Sequence, residues 1–119
     1  MVLIDSSVWV EHLRGVEPTV VRLLESARVL VHPFVIGELA LGGLRQSLAL
    51  GLLRDLPQAT VADAEEVLGF IQRYALAGSG VGYVDAHLLA SVFLTPGARL
   101  WTRDKRLASA AEKLGVNFP

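Results

Sequence analysis

The sequence predicts an α/β fold in which a central parallel sheet carries helices on both faces. Three observations support this expectation: short apolar runs that suit buried strands, amphipathic stretches between them, and Gly or Pro at the junctions. The chain has 119 residues, of which 52% are hydrophobic and 19% charged. We therefore expect a single domain over residues 1–119 with one hydrophobic core.

Strands and helices are predicted to alternate along the chain. Short apolar runs predict strands at 2–4, 28–31 and 99–102, and residues 116–118 are compatible with a last edge strand. Start signals predict helices after Asp5-Ser6-Ser7, at Pro18, after His32, at Gln46, after Asp63 and near Asp85. Three of these are predicted to end at about Gly43, Leu56 and Ala77. A final helix carries Leu107, Ala110, Ala111 and Leu114 on one face, with Gly115 as its stop.

Bulk properties exclude several classes of protein. With no cysteine, the chain has neither disulfides nor thiolate metal sites. No uncharged apolar stretch approaches the roughly 18 residues that cross a bilayer, and the first residues lack a signal-peptide pattern. We therefore expect a cytoplasmic protein with no membrane contact. The net charge of −1 leaves nucleic-acid binding open, and the mean hydropathy of +0.47 fits either a well-filled core or an apolar surface for a partner.

Four acidic residues attract attention because of their positions. Asp5 and Asp104 follow predicted strands, and Asp85 lies at a loop-to-helix junction that could face the same sheet edge, where ligands bind in such folds. Each of these three could equally be only a helix cap. Glu38 lies in an apolar helical segment, where an unpaired buried carboxylate would cost several kcal/mol, unless that face of the helix is open to solvent. Converging carboxylates repel one another unless Mg²⁺ or Mn²⁺ lies between them.

The flanking residues add a family resemblance. Four segments, in order and spacing, resemble the acidic motifs of PIN domains, and the match in overall length extends this to the VapC toxins of type II toxin–antitoxin systems. The segments are Val2-Leu3-Ile4-Asp5-Ser6-Ser7-Val8-Trp9, Val35-Ile36-Gly37-Glu38-Leu39, Gly82-Tyr83-Val84-Asp85-Ala86-His87-Leu88-Leu89-Ala90 and Leu100-Trp101-Thr102-Arg103-Asp104-Lys105-Arg106-Leu107. The resemblance covers essentially the whole chain.

The resemblance implies a PIN-like three-layer sandwich and an endoribonuclease dependent on Mg²⁺ or Mn²⁺. It implies an RNA substrate, a homodimer and a cognate VapB-like antitoxin. The catalytic, metal-binding carboxylates would be Asp5, Glu38, Asp85 and Asp104. Ser7 and Thr102 would orient them through hydrogen bonds. Some PIN nucleases carry extra acids after the fourth motif, but here Lys105 and Arg106 follow, so we expect one tightly held metal ion.

Cationic residues next to the fourth motif are candidates for contacts with RNA phosphates. Arg103, Lys105 and Arg106 flank the predicted site, and Arg14 and Arg45 are further candidates. His87 lies two residues after Asp85 and could be a ligand or general base. A structural role is favoured for it, because hard cations prefer oxygen ligands.

Two alternatives from other functional classes are compatible with parts of the pattern. A catalytically inactive PIN-type binding module is disfavoured by the presence of all four acids. A receiver-like signalling domain needs a second acid beside the first one and a phosphorylatable Asp after the third strand. Here Ser6-Ser7 follow Asp5, and Asp55 falls within a predicted helix.

The acidic cluster also predicts the effect of one substitution on stability. If Asp5 is one of four carboxylates that repel one another, Asp5→Asn should leave the metal-free stability of the protein unchanged or raise it.

Overall fold

Three short parallel strands form the sheet, in the order β2-β1-β3: β1 (Val2–Ile4), β2 (Val29–Leu30) and β3 (Arg99–Trp101). Leu3 of β1 aligns with Leu30 on one side and Leu100 on the other. The computed structural model describes residues 1–44 and 47–119. Parallel pairing throughout confirms the predicted type of sheet.

Single bridges extend the sheet beyond the named strands. Val31 pairs with Gln58 and Leu100 pairs with Asn117, both in parallel. The predicted edge strand at 116–118 is therefore reduced to one bridge, in which Phe118 donates its N–H to the Leu100 carbonyl at 2.8 Å. The strand predicted at 28–31 is reduced to Val29–Leu30, and Val31 pairs separately with Gln58.

Seven helices connect the strands within the described residues. They are α1 (Ser6–Arg14), α2 (Pro18–Glu25), α3 (Pro33–Leu41), α4 (Ser47–Asp55), α5 (Ala64–Arg73), α6 (Tyr83–Leu94) and α7 (Lys105–Lys113). The capping box predicted from Asp63 and Glu66 is present at the start of α5. The predicted start of α4 at Gln46 lies outside the described residues.

Some predicted helix ends were wrong by a few residues. Helix α5 ends at Arg73, not at about Ala77, because Ala75 takes a left-handed conformation with φ of 50°, which cannot continue a right-handed helix. Helix α3 ends at Leu41 and α4 at Asp55. Gly115, with φ of 72°, follows the Leu114 cap of α7 as predicted.

Both faces of the sheet are covered. Successive side chains of a strand point to opposite faces, and Val2, Leu3 and Ile4 are each at most 1% exposed. Helices α6 and α7 lie against β3, α5 packs on α6, and α1 packs on α3. Helix α6 is buried from Ala86 to Val92 without a break, as expected of a helix that is apolar all round. The predicted layered α/β sandwich is therefore confirmed.

This architecture brings the starts of three helices to the neighbourhood of one sheet edge. Helix α1 starts directly after β1, α7 starts soon after β3, and α3 starts soon after β2. The carboxyl ends of parallel strands meet at this edge, where open α/β sheets bind ligands. None of the helices in residues 1–44 and 47–119 combines the length and apolarity needed to span a membrane.

Candidate active site

Asp5 follows β1 directly, and its carboxylate accepts three hydrogen bonds of 2.8 Å or less. Asp5 is buried, with 5% of its surface exposed. Its Oδ1 accepts the N–H of Ser6 at 2.8 Å, so it caps α1. Its Oδ2 accepts the hydroxyls of Ser7 at 2.8 Å and Thr102 at 2.7 Å. These contacts hold the carboxylate in one orientation, with one oxygen given over to the two hydroxyls.

The same two hydroxyls tie the chain after β3 to the start of α1. The N–H of Arg103 donates to Ser7 Oγ at 2.9 Å, and the N–H of Asp104 donates to Thr102 Oγ1 at 3.0 Å. The Ser7 and Thr102 oxygens lie 3.3 Å apart. The network therefore links the first and fourth motifs, and it positions Ser7 and Thr102 as the resemblance implies. Their contribution to activity stays a prediction.

Glu38 lies on α3 but is not buried as its apolar neighbours suggested. The residue is exposed, and the buried face of this helix is formed by Val35 and Leu39. The argument from a buried unpaired carboxylate was therefore wrong for Glu38, because the periodicity of α3 turns it away from the core. The carboxyl group nevertheless reaches the site: partial burial and the Asp5 charge raise its pKa, while a hydrogen bond from Ser6 opposes that rise.

Ser6 is a site residue that the sequence analysis missed. Its Oγ lies 3.3 Å from Glu38 Oε1 and 3.4 Å from Asp5 Oδ1. One hydroxyl therefore lies between the first and second acids. The available signal was its place in the Asp5-Ser6-Ser7 run, where consecutive polar residues at a helix start can point toward the same edge.

Asp85 is the third residue of α6 and does not cap it. The cap is Gly82, which provides no side-chain hydrogen bond, so the interpretation of Asp85 as a cap was wrong. Asp85 is half-buried, and burial raises its pKa to about 6, with further contributions from the charges of Asp5, Asp104 and Glu38. The Asp85 carboxylate is therefore close enough to all three of the other predicted acids for their negative charges to affect it.

Asp104 caps α7 and is exposed. Its Oδ1 accepts the N–H of Leu107 at 2.9 Å. The four acids thus share one edge of the sheet. Within residues 1–44 and 47–119, however, no three acidic or imidazole side chains come close enough to enclose a metal ion as they stand. Like-charged carboxylates repel one another, which favours such a spread arrangement.

His87 is buried among aromatic rings. Its ring centroid lies 4.8 Å from that of Phe34 and 4.8 Å from that of Tyr83. Burial lowers its pKa, which favours the neutral imidazole. This packing supports the structural role that was favoured for it.

The predicted cationic residues differ in their surroundings. Arg103 forms ion pairs with Glu11 at 2.8 Å and Glu17 at 3.3 Å, and its guanidinium lies 5.3 Å from the centre of the Trp101 ring. Lys105 and Arg106 have no carboxylate within 4.0 Å among the described residues. Arg103 is therefore engaged by the protein, whereas its two neighbours retain their charge for another partner.

Two further cations complete the set. Arg14 lines a cavity of about 420 Å³ beside Ser6 and Glu38, which puts it at the second acid's side of the site. Arg45 lies outside the described residues.

Comparison with known proteins decides the family. The sequence profile of the PIN domain matches residues 2–113. This chain belongs to the PIN-domain family. It is also 50% identical over 117 residues to Ribonuclease VapC32 from two Mycobacterium tuberculosis strains, CDC 1551 / Oshkosh and ATCC 25618 / H37Rv, which covers 98% of this chain and 94% of each relative. The predicted VapC-family membership is confirmed, and the receiver-like alternative is wrong.

The acidic edge of this PIN domain has the donor chemistry of a hard-cation site. Carboxylate oxygens are the ligands that Mg²⁺ and Mn²⁺ prefer. Burial raises the pKa of Asp85, and the charges of Asp5, Asp104 and Glu38 raise it further. Asp5, Glu38, Asp85 and Asp104 therefore fit a divalent cation by type and by charge.

Proposed function

We propose that this PIN domain is a divalent-metal-dependent endoribonuclease that cleaves RNA phosphodiester bonds and acts as the toxin of a toxin–antitoxin pair. The observation that carries the proposal is the convergence of four acids at one sheet edge, where the Ser7 and Thr102 hydroxyls join Asp5 to the chain that leads to Asp104. The name of the VapC32 relatives supports ribonuclease activity.

Asp5, Glu38, Asp85 and Asp104 would hold Mg²⁺ or Mn²⁺. Such a cation, when bound, lowers the pKa of a coordinated water and neutralises charge on phosphate oxygens. The same four acids would repel RNA phosphates in the absence of a cation. The metal is therefore expected to strengthen substrate binding as well as to supply the chemistry.

The protein's own residues fix the orientation of some of these acids more firmly than that of others. Ser7 and Thr102 fix Asp5, because both hydroxyls donate to Oδ2. Asp85 carries a proton below a pKa of about 6 when no cation is present, so acid pH should compete with metal binding. Ser6 lies between Asp5 and Glu38 and can hold one of them at a time.

A cleavage assay tests the proposal. Purified protein is incubated with total cellular RNA in excess EDTA, and then with Mg²⁺ or Mn²⁺ restored. We expect cleavage only with the added metal, and we expect mapped fragment ends to define the target RNA. Undiminished cleavage in excess chelator would overturn the metal-dependent mechanism. RNA binding without cleavage under every metal condition would instead identify an inactive PIN-type binding module.

Exposed apolar surface supports the two proposed protein partners, a VapB-like antitoxin and a second copy of the chain. One apolar cavity of about 310 Å³ lies between α1 and α4 and is lined by Trp9, Leu13, Leu24, Leu52 and Leu56, among others. Another surface, on α5 and α6, exposes Leu68, Phe93 and Leu94. Light scattering is expected to report a dimer at micromolar concentration, and a strictly monomeric protein would contradict the homodimer.

A further inference from the structure

A basic groove runs along α7, from Lys105 next to the predicted acids to Leu114 at the far end of the helix. It has a volume of about 310 Å³ and lies between α7 and the segment that follows α5. Its lining combines three cations with an apolar floor: Tyr74, Ala75, Leu76, Ser79, Lys105, Arg106, Ser109, Ala110, Lys113 and Leu114. None of the four predicted metal-binding acids belongs to this lining.

The cations of this groove share one side of α7. Lys105, Ser109 and Lys113 are spaced by four residues, which aligns them along the helix over about 12 Å. Glu112 lies two turns after Lys105 and therefore shares its side of α7, but it does not line the groove. No carboxylate lies within 4.0 Å of Lys105, Arg106 or Lys113 in the described part of the chain. The groove therefore presents three cations that form no ion pair with the described residues.

The groove is continuous with the acidic edge. Lys105 directly follows Asp104, the cap of α7. Arg106 lies against Gly80, in the loop that leads to α6 and Asp85: a Cβ at Gly80 would be only 2.6 Å from Arg106 Cδ. Gly80 also has φ of 84°, so the absence of a side chain allows both the left-handed turn and the close approach of Arg106. A single-stranded nucleic acid bound at the acidic edge could therefore continue directly into the groove.

We propose that this groove binds the RNA strand on one side of the cleaved bond, with its phosphates on Lys105, Arg106 and Lys113 and a base on the floor formed by Leu76, Ala110 and Leu114. This rests on the proposed ribonuclease function and assigns a path to its substrate. Phosphates take contacts from Lys and Arg without regard to sequence, whereas apolar surface beneath them suits the face of a base.

RNA fits this groove better than an acidic peptide does. The cations form a row that starts at the site where the proposed reaction occurs, and a substrate strand must pass there. Arg103, by contrast, is neutralised by Glu11 and Glu17. We therefore expect Lys105 and Lys113 to contribute more to RNA affinity than Arg103 does.

Binding measurements on charge-matched variants test the groove. The double variant Lys105→Gln with Lys113→Gln removes two charges and keeps most of each side-chain stem, while Arg106 is left intact to preserve its packing on Gly80. The control, Arg22→Gln with Arg28→Gln, removes two exposed cations; Arg28 immediately precedes β2, at the sheet edge opposite the acids. Fluorescence anisotropy with labelled single-stranded oligouridine is recorded in EDTA over a range of salt concentrations.

The groove variant is expected to bind oligouridine about tenfold more weakly than wild type. Its salt dependence should fall by about 0.7 in log–log slope for each phosphate that the protein no longer neutralises. The control should stay within about twofold of wild type. Equal affinities of the groove and control variants would overturn the proposal. An oligomer of abasic nucleotides should bind wild type more weakly than oligouridine does, and equal binding would overturn the base-binding floor.

Two comparisons separate the possible failures. If oligoglutamate binds as tightly as oligouridine and loses affinity equally in the groove variant, the groove is an acidic-peptide site and the RNA assignment is wrong. If wild type cleaves RNA with Mn²⁺ but the groove variant binds normally, the proposed function stands and the groove does not. If wild type never cleaves RNA while the groove variant alone loses binding, the groove stands and the nuclease does not.

Discussion

The two halves of the candidate active site are prepared in opposite ways. In the strand half, Asp5 receives hydrogen bonds from Ser6, Ser7 and Thr102, all at 2.8 Å or less. In the helix half, burial and neighbouring negative charge raise the pKa of both Glu38 and Asp85. The strand half is therefore stabilised by the protein alone, whereas the helix half gains stability only when a cation or a proton arrives. The acids of both halves would serve as metal ligands, but only those of the helix half should lower the stability of the metal-free protein.

The largest expected effect is on activity, where the two halves should behave alike. Asp5→Asn and Asp85→Asn each remove one carboxylate charge, and we expect RNA cleavage to fall by at least about a hundredfold, the upper end of the loss seen when even the groups supporting a metal site are removed. Initial rates with saturating Mn²⁺ measure this. Asp55→Asn, an exposed acid at the end of α4, is the matched control and should cleave normally. Full activity of either site variant would remove that residue from the site.

A smaller effect is expected for the hydroxyls that support the strand half. Ser7→Ala and Thr102→Val each remove one donor to Asp5, so the orientation of the carboxylate is no longer fixed. We expect about a tenfold to hundredfold loss of activity or of Mn²⁺ affinity, measured from the Mn²⁺ dependence of cleavage. Ser26→Ala, which removes an exposed hydroxyl at the end of α2, should have no effect. If all three variants match wild type, the network is only structural.

The smallest expected effect, on stability, should separate the two halves by sign. In EDTA at pH 7, Asp5→Asn should lower the free energy of unfolding by about 1–2 kcal/mol, because an amide cannot accept from all three donors without turning its own N–H groups toward one of them. Asp85→Asn should raise the free energy of unfolding, because a repelled, half-buried charge is lost. The structure thus reverses the sequence-based expectation for Asp5→Asn. Thermal or urea unfolding of both variants measures the signs, and equal signs would break the contrast.

The pH dependence sharpens the Asp85 half of this test. A pKa raised to about 6 from 3.8 means that the folded state binds more protons than the unfolded state between these values, so Asp85 lowers stability as pH rises through this window. The advantage of Asp85→Asn over wild type should be near zero at about pH 4 and level off above about pH 6, at about 1 kcal/mol after allowance for solvent screening.

The same unfolding series contains two internal checks. Burial and the neighbouring His87 lower the pKa of His32 to about 4, and this titration occurs in both proteins, so it cancels in the difference. Added Mn²⁺ should stabilise wild type more than the variant. A difference that does not change between about pH 4 and pH 6 would show that the pKa of Asp85 is not raised in the folded protein.

Local signals in the sequence predicted much of this structure. The apolar run at 2–4 and the acid after it predicted β1 and the cap of α1, and Asp63 with Glu66 predicted a capping box that is present. The motif residues predicted the family, which the comparisons confirm. These features depend on neighbours within a few positions along the chain, where spacing and side-chain type are sufficient information.

Other expectations depended on which side of a helix faces the core. Glu38 lies in an apolar segment yet is exposed, and Asp85 lies near a helix start yet does not cap it. Periodicity alone was ambiguous in both places, since α3 and α6 are apolar over most of their surface. The end of α5 was also misplaced, because nothing in Tyr74-Ala75 signals a left-handed residue.

The sequence by itself determined where three strands lie, the order of the helices and the family, and it predicted the four acids of the site. Only the tertiary structure decided that Thr102 donates a hydrogen bond to Asp5, 97 positions away in the sequence. It also decided that Arg103 forms ion pairs with Glu11 and Glu17, and that Lys105 and Lys113 line the same groove. The physical reason is that hydrogen bonds and charge compensation act over a few ångströms in space, and packing of the helices on the sheet sets those distances.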